Sequence, residues 1–209
     1  MKTRFVPFLI LMGASALWAR HGECRSAPGC ACALPPASKA ALSLSAPEAK
    51  ALSFQIDEER MAGEIYRTLG KQWSLRPFIN IPRAEDRHQA LLVSLATRAG
   101  LPPVGETTPG KFQTPEVQAR YDALVKRGEV SLLEALQVGA LIEEQDIADL
   151  RAMVHSTGSA DLKSAATVLE AGSRNHLRAF VRNLCARGVE YEPRILSAEE
   201  YVEIVTLRR

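Results

Sequence analysis

The chain has 209 residues, 26 Lys+Arg against 24 Asp+Glu, a formal charge of +2, 46% apolar residues and only 6% aromatic ones. That length fits one domain with extensions or two small domains. The balanced charge excludes a strongly basic nucleic-acid binder, the apolar content excludes an acidic disordered chain, and abundant Ala and Leu favour helices over strands.

Residues 1–19 read as a secretory signal peptide. Lys2 and Arg4 stand without an acid, an apolar run extends from Phe5 to Met12, and Gly13, Ala14, Ser15, Ala16 and Ala19 supply small residues. The run is short and interrupted by Pro7, so no stable membrane span is expected after cleavage. The expectation is export to the periplasm or the cell exterior. Lys2 and Arg4 account for the charge surplus, and cleavage near Ala19 leaves 24 basic against 24 acidic residues.

Residues 20–44 form a Cys/Pro/Ala-rich linker holding Cys24, Cys30 and Cys32. A disulfide among them suits an oxidising compartment, whereas Cys-x-Cys alone lacks zinc-site spacing. Cys185, in a helical stretch, is expected to be a small buried hydrophobe. His21 has no assigned role.

Residues 45–209 read as one helical domain. Ser45-Ala46-Pro47-Glu48 opens a first helix through Leu52, Ile56, Met61, Ile65 and Leu69, ending between Gly70 and Trp73. A second starts around Asn80-Ile81-Pro82 and runs to Gly100. After a loop over 101–113, Thr114-Pro115-Glu116 starts a short helix that ends at Gly128. Ser131-Leu132-Leu133-Glu134 opens a long third helix reaching His155. The fourth spans Asp161 to Arg187, and Ser197-Ala198-Glu199-Glu200 starts a short last one. No alternating strand pattern occurs, so the expected architecture is an all-α four-helix bundle.

The inward faces carry ionisable residues. Glu85 and His88 share one face with Leu92 and Leu95. His176 lies on the stripe Leu162, Ala166, Leu169, Ser173 and Phe180. Glu143 and Asp146 lie among Leu132, Leu136, Gly139, Leu150 and Met153, and Glu144 aligns with Ala140 and Ile147. On the first helix Glu58 or Glu59 falls among Ile56, Ala62, Ile65 and Tyr66, with Glu58 read as the solvated neighbour. Such burial is unfavourable by several kcal/mol per ion unless compensated. Two divalent ions would compensate it. Counted from the turn near residue 159, Glu143 and His176 stand at matching depth; Glu59 and Glu85 match more loosely.

Glu59-x-x-Ala62-x-x-x-Tyr66 resembles the first metal-binding helix of rubrerythrin-type proteins, and Glu85-Asp86-Arg87-His88 resembles the second. The segments ERMAGEIYRTL, NIPRAEDRHQALL, VGALIEEQDIADL and GSRNHLRAF, followed by LSAEEY, together resemble an uncharacterised bacterial and archaeal ferritin-like family, domain of unknown function 2202, over residues 50–205. The resemblance implies a ferritin-like antiparallel bundle with a short extra helix in the crossover between the second and third long helices. It also implies a di-iron carboxylate centre holding two Fe ions, and no known reaction; oxygen-rich ligands with two imidazoles suit Mn in place of Fe as well.

One departure stands out: where ferritin-like motifs place Glu three residues before the last His, this chain has Ser173. Glu170 lies about 120° away around the helix, whereas Asp146 shares a face with Glu143. The candidate ligands are Glu59, Glu85, His88, His176 and one or two of Glu143, Glu144 and Asp146. Tyr66 is read as packing, with a hydrogen bond to a ligand as its other role. His155 is read as a cation at a helix C-terminus.

The expected chemistry is oxidase, ferroxidase or peroxide-removing redox on small oxygen species. No rubredoxin-like Cys-x-x-Cys pair is present to feed electrons. The alternative is a non-catalytic metal-binding, storage or interaction bundle. Metal ions and small oxygen species are the expected partners, a homodimer is left open, and no nucleic acid is expected.

Overall fold

The computed structural model describes residues 40–103 and 108–206. The leader over 1–19, His21 and the segment with Cys24, Cys30 and Cys32 therefore lie outside the described residues. Among the described residues there are seven helices and no strand: α1 Ala46–Trp73, α2 Arg76–Asn80, α3 Pro82–Arg98, α4 Pro115–Gly128, α5 Leu132–Ser156, α6 Ala160–Cys185 and α7 Ala198–Thr206. No described helix is long and apolar enough to cross a membrane.

Local chemistry sets the helix ends. At α1 the Glu48 carboxylate accepts the Ser45 backbone N–H at 2.8 Å, and α1 stops at Ser74, whose φ of 45° lies in the left-handed region. Ser131 Oγ accepts the Glu134 N–H at 3.1 Å to start α5. Ser197 and Glu200 satisfy each other's backbone N–H at 2.9 and 3.2 Å to start α7. Pro77 and Pro82 sit in the first turns of α2 and α3. The sequence reading has no separate α2, because five residues are too few to show a period.

Of the four long helices, α5 lies along α6 and α1 along α3; α3 also meets α6, and α1 meets α5. These four form a ring in the order α1, α3, α6, α5. Helix α4 crosses the outer side of α1 and α5. Glu48 ties the ends together, because its Oε1 also accepts from Thr157 Oγ1 at 2.6 Å and from the N–H groups of Gly158 and Ser159 at 3.0 and 3.2 Å. The hydroxyls of Thr157 and Ser45 hold its carboxyl down to about 2.

The apolar interior is split in two. One cluster gathers Ile65, Tyr66, Leu69, Phe78, Leu136, Leu177 and Phe180; the other gathers Leu52, Ile56, Leu92, Leu95, Leu150, Leu162 and Leu169. On α1, α3 and α6 the break between them falls where the ionisable residues occur, at Glu59, at Glu85 with His88, and at Ser173 with His176; on α5, Glu143 and Asp146 lie among residues of the first cluster, shortly before Leu150 of the second.

Two expectations need correction. Glu58 is buried, 5% exposed, because α4 covers that face of α1; its carboxylate pairs with Arg120. Burial and the nearby Asp149 push the Glu58 carboxyl up to about 8 against the pull of Arg120. Its neighbour Asp57 accepts from Thr114 Oγ1 at 2.7 Å. Cys185 is exposed rather than buried, since it ends α6 on the outer face.

Helices α5 and α6 meet closely at Gly139. A Cβ there would stand 2.3 Å from the Phe180 ring, which is fully buried and packed 5.2 Å from Tyr66 and 5.5 Å from Phe78. Such overpacking typically costs about 1–3 kcal/mol. Gly139→Ala is therefore expected to lower Tm by several degrees in a thermal melt; an unchanged Tm would contradict this packing.

Candidate metal centre

Each of the four long helices delivers one part of a buried cluster. Helix α1 brings Glu59, α3 brings Glu85 and His88 one turn apart, α5 brings Glu143 and α6 brings His176. Glu59, Glu85 and Glu143 are 2–3% exposed and His88 is 7% exposed.

Glu85 is the hinge of the geometry. Its Oε2 lies 2.9 Å from His88 Nδ1, and its Oε1 lies 2.9 Å from His176 Nδ1. Glu59 Oε2 faces His88 Nδ1 at 3.2 Å, and Glu143 Oε2 faces His176 Nδ1 at 3.4 Å. The two imidazoles are stacked with centroids 5.7 Å apart. Two groups of ligand atoms result, Glu59–Glu85–His88 and Glu85–Glu143–His176, each with its atoms within 4.8 Å of one another.

The terminal carboxylates are held from behind. Tyr66 donates its hydroxyl to Glu143 Oε1 at 2.5 Å, and Gln55 Nε2 reaches Glu59 Oε1 at 3.5 Å. Both supports come from α1. On the far side, the His88 ring lies against Gly172 of α6, where a Cβ would stand 2.7 Å from Cε1 and Nε2. Glycine thus leaves the space that the ring fills.

The depth match read for Glu143 and His176 is realised as direct contact, and Glu59 meets the Glu85/His88 pair as the looser count suggested. Asp146 stands beside the cluster, not within either group, with Oδ2 at 2.5 Å from Ser173 Oγ and Oδ1 at 2.5 Å from Gln55 Nε2. Glu144 is fully buried but turned away. It accepts from Tyr191 OH at 2.8 Å and from the N–H groups of Arg194 and Leu196, anchoring the chain between α6 and α7. Glu170 pairs with Arg151 at 2.9 Å, and His155 is exposed in the last turn of α5. The sequence reading missed Gln55 and Gly172; Gln55 had one signal, its position one turn before Glu59.

Electrostatics follow from burial. Desolvation disfavours both imidazolium ions, yet Glu59 and Glu85 raise His88 well above its ordinary value, and Glu85 and Glu143 raise His176 to about 10. Burial also favours neutral Glu85, but His176 and His88 outweigh it and hold that carboxyl low. Glu143 is pushed up to about 7 by burial and by Glu85, against the pull of His176 and Tyr66. Burial raises Glu59, and burial with Glu59 and Glu143 nearby raises Asp146.

The donor set fits divalent metal ions. Carboxylate oxygens and imidazole nitrogens are donors that divalent metal ions take. The buried atoms Glu85 Oε1 and His176 Nδ1 face each other at 2.9 Å. Once the imidazole gives up its proton, both atoms present lone pairs that a cation can take.

Residues 48–208 match the family described as Uncharacterized protein domain (DUF2202). The chain is 39% identical over 164 residues to the uncharacterised protein MJ0754 of Methanocaldococcus jannaschii, covering 78% of this chain and 89% of that one. The crystal structure of that hypothetical protein superposes with a TM-score of 0.78 at 38% identity, covering 80% of this chain and 96% of the other.

The raised values give a pH dependence. Glu143 goes from 4.5 to about 7 and His176 from 6.5 to about 10 on folding. Both groups hold their protons more tightly when folded. Their contribution is full below 4.5 and 6.5 respectively and is lost as pH rises through about 7 and then about 10. Urea midpoints of metal-free protein, followed by circular dichroism, are expected to fall from pH 5 to pH 9. A Glu143→Gln variant should flatten the lower part of that fall; a midpoint that rises with pH would contradict the assignment.

Proposed function

We propose that this chain, which belongs to the family described as Uncharacterized protein domain (DUF2202), is a ferritin-like antiparallel four-helix bundle with a dinuclear metal centre, iron first and manganese second. The observation that carries this reading is the sharing of Glu85 by two ligand groups, each completed by one further carboxylate and one imidazole. Glu59 and His88 would hold one ion, Glu143 and His176 the other, with Glu85 touching both.

Two bound iron ions would supply electrons to oxygen or peroxide, which makes oxidase, ferroxidase or peroxide-removing activity the proposed chemistry. The protein's own residues do the rest. Loading replaces the protons on the imidazoles and on Glu59 and Glu143, so metal uptake releases protons and strengthens as pH rises. The two apolar clusters exclude water above and below the ligands, and Tyr66 fixes the outer oxygen of Glu143. The leader read in residues 1–19 supports export to the periplasm or the cell exterior.

A second reading is metal binding without turnover. It is supported by the burial of the ligands, none with a side chain more than 12% exposed, which restricts access for a substrate.

One experiment tests both. Protein loaded anaerobically with Fe(II) is expected to hold two metals per chain and to consume oxygen on exposure. A Glu85→Ala/His88→Ala variant, helical by circular dichroism, should hold almost none. Two metals without oxygen uptake would select the second reading. A folded wild-type protein that stays metal-free after loading would contradict both.

A further inference from the structure

We propose that Gln55, Asp146 and Ser173 form a tether that fixes Glu59, and that Asp146 is a positioning residue rather than a metal ligand. This inference rests on reading the cluster as a metal centre.

Both Asp146 oxygens are already engaged. Oδ1 accepts from Gln55 Nε2 at 2.5 Å, and Oδ2 lies 2.5 Å from Ser173 Oγ, itself 3.0 Å from the Leu169 carbonyl. Asp146 joins neither ligand group. Gln55 is 1% exposed, so no bulk water competes for its amide. An amide nitrogen carries two hydrogens, and here two carboxylates face it: Asp146 at 2.5 Å and Glu59 Oε1 at 3.5 Å. The shorter link sets the direction of the amide, and the amide in turn keeps Glu59 Oε1 turned outward. Glu59 Oε2 is then left facing His88.

The chain Ser173–Asp146–Gln55–Glu59 thus runs from α6 through α5 to α1 and ends on one ligand only. Glu143, the corresponding carboxylate of the other group, is held by Tyr66 instead. The two metal positions are therefore supported by unlike donors, and a change at residue 146 acts on one of them.

Asparagine at position 146 keeps the tether. Its oxygen accepts from Gln55 and its nitrogen donates to Ser173 Oγ, whose hydrogen then goes to Leu169. It is, however, a poor substitute for a ligating carboxylate. D146N and D146A therefore separate the two roles.

The test is a Co(II) titration of metal-free protein followed by visible absorption, with Glu59→Ala marking which of two sites contains Glu59. D146A is expected to weaken that site about tenfold, as loss of a ligand's hydrogen-bonding support does, and to leave the other unchanged. D146N should stay within about twofold of wild type. A Q55L variant should weaken the same site, and adding D146A to it should cost little more, because the two act in series. If D146N loses as much metal as D146A, or if D146A weakens both sites equally, the tether is overturned while the metal centre stands. A wild-type chain that binds no Co(II) overturns the metal reading and the tether together.

Discussion

The structure depends on one constraint: three carboxylates and two imidazoles are buried at a single level of the interior, where ions are unfavourable by several kcal/mol each unless compensated. Glu85 is the centre of that constraint. Each of its oxygens faces a different histidine, and each histidine also faces one further carboxylate. The acids outnumber the bases, so the metal-free cluster retains protons on groups that ordinarily release them. Two dications would meet the same shortage of positive charge more completely.

The rest of the fold serves that level. The apolar interior divides around it, so the clusters on either side seal the polar layer from solvent. Helix α1 packs against α2, α3, α4 and α5. Its residues from Gln55 to Glu59 are all buried, and it supplies Glu59 as well as the supports of both terminal carboxylates. Small residues set the spacing on the other side: Gly139 admits the Phe180 ring, and Gly172 admits the ring of His88.

Much of this was legible in the order of residues. Caps and prolines placed the helix starts, and counting residues from the turn near 159 put Glu143 opposite His176. What escaped depended on partners distant in the chain. Glu58 looked solvated because nothing in its own helix announces that α4 will cover it. Glu144 sits on an apolar line, as read, but its carboxylate is taken by Tyr191 and the backbone at Arg194 and Leu196, in a segment with no periodicity. Gln55 drew no notice because an amide within a helix is ordinary until the carboxylates on either side of it are known. Five-residue α2 was too short to carry a pattern.

The proposed dinuclear centre requires Glu85 to serve two metal ions. Anomalous diffraction at the iron edge, from crystals of iron-loaded protein, measures this most directly. Two peaks are expected, one beside Glu59 and His88 and one beside Glu143 and His176, with Glu85 reaching both. A single peak away from Glu85, or none in a fully folded loaded protein, would contradict it.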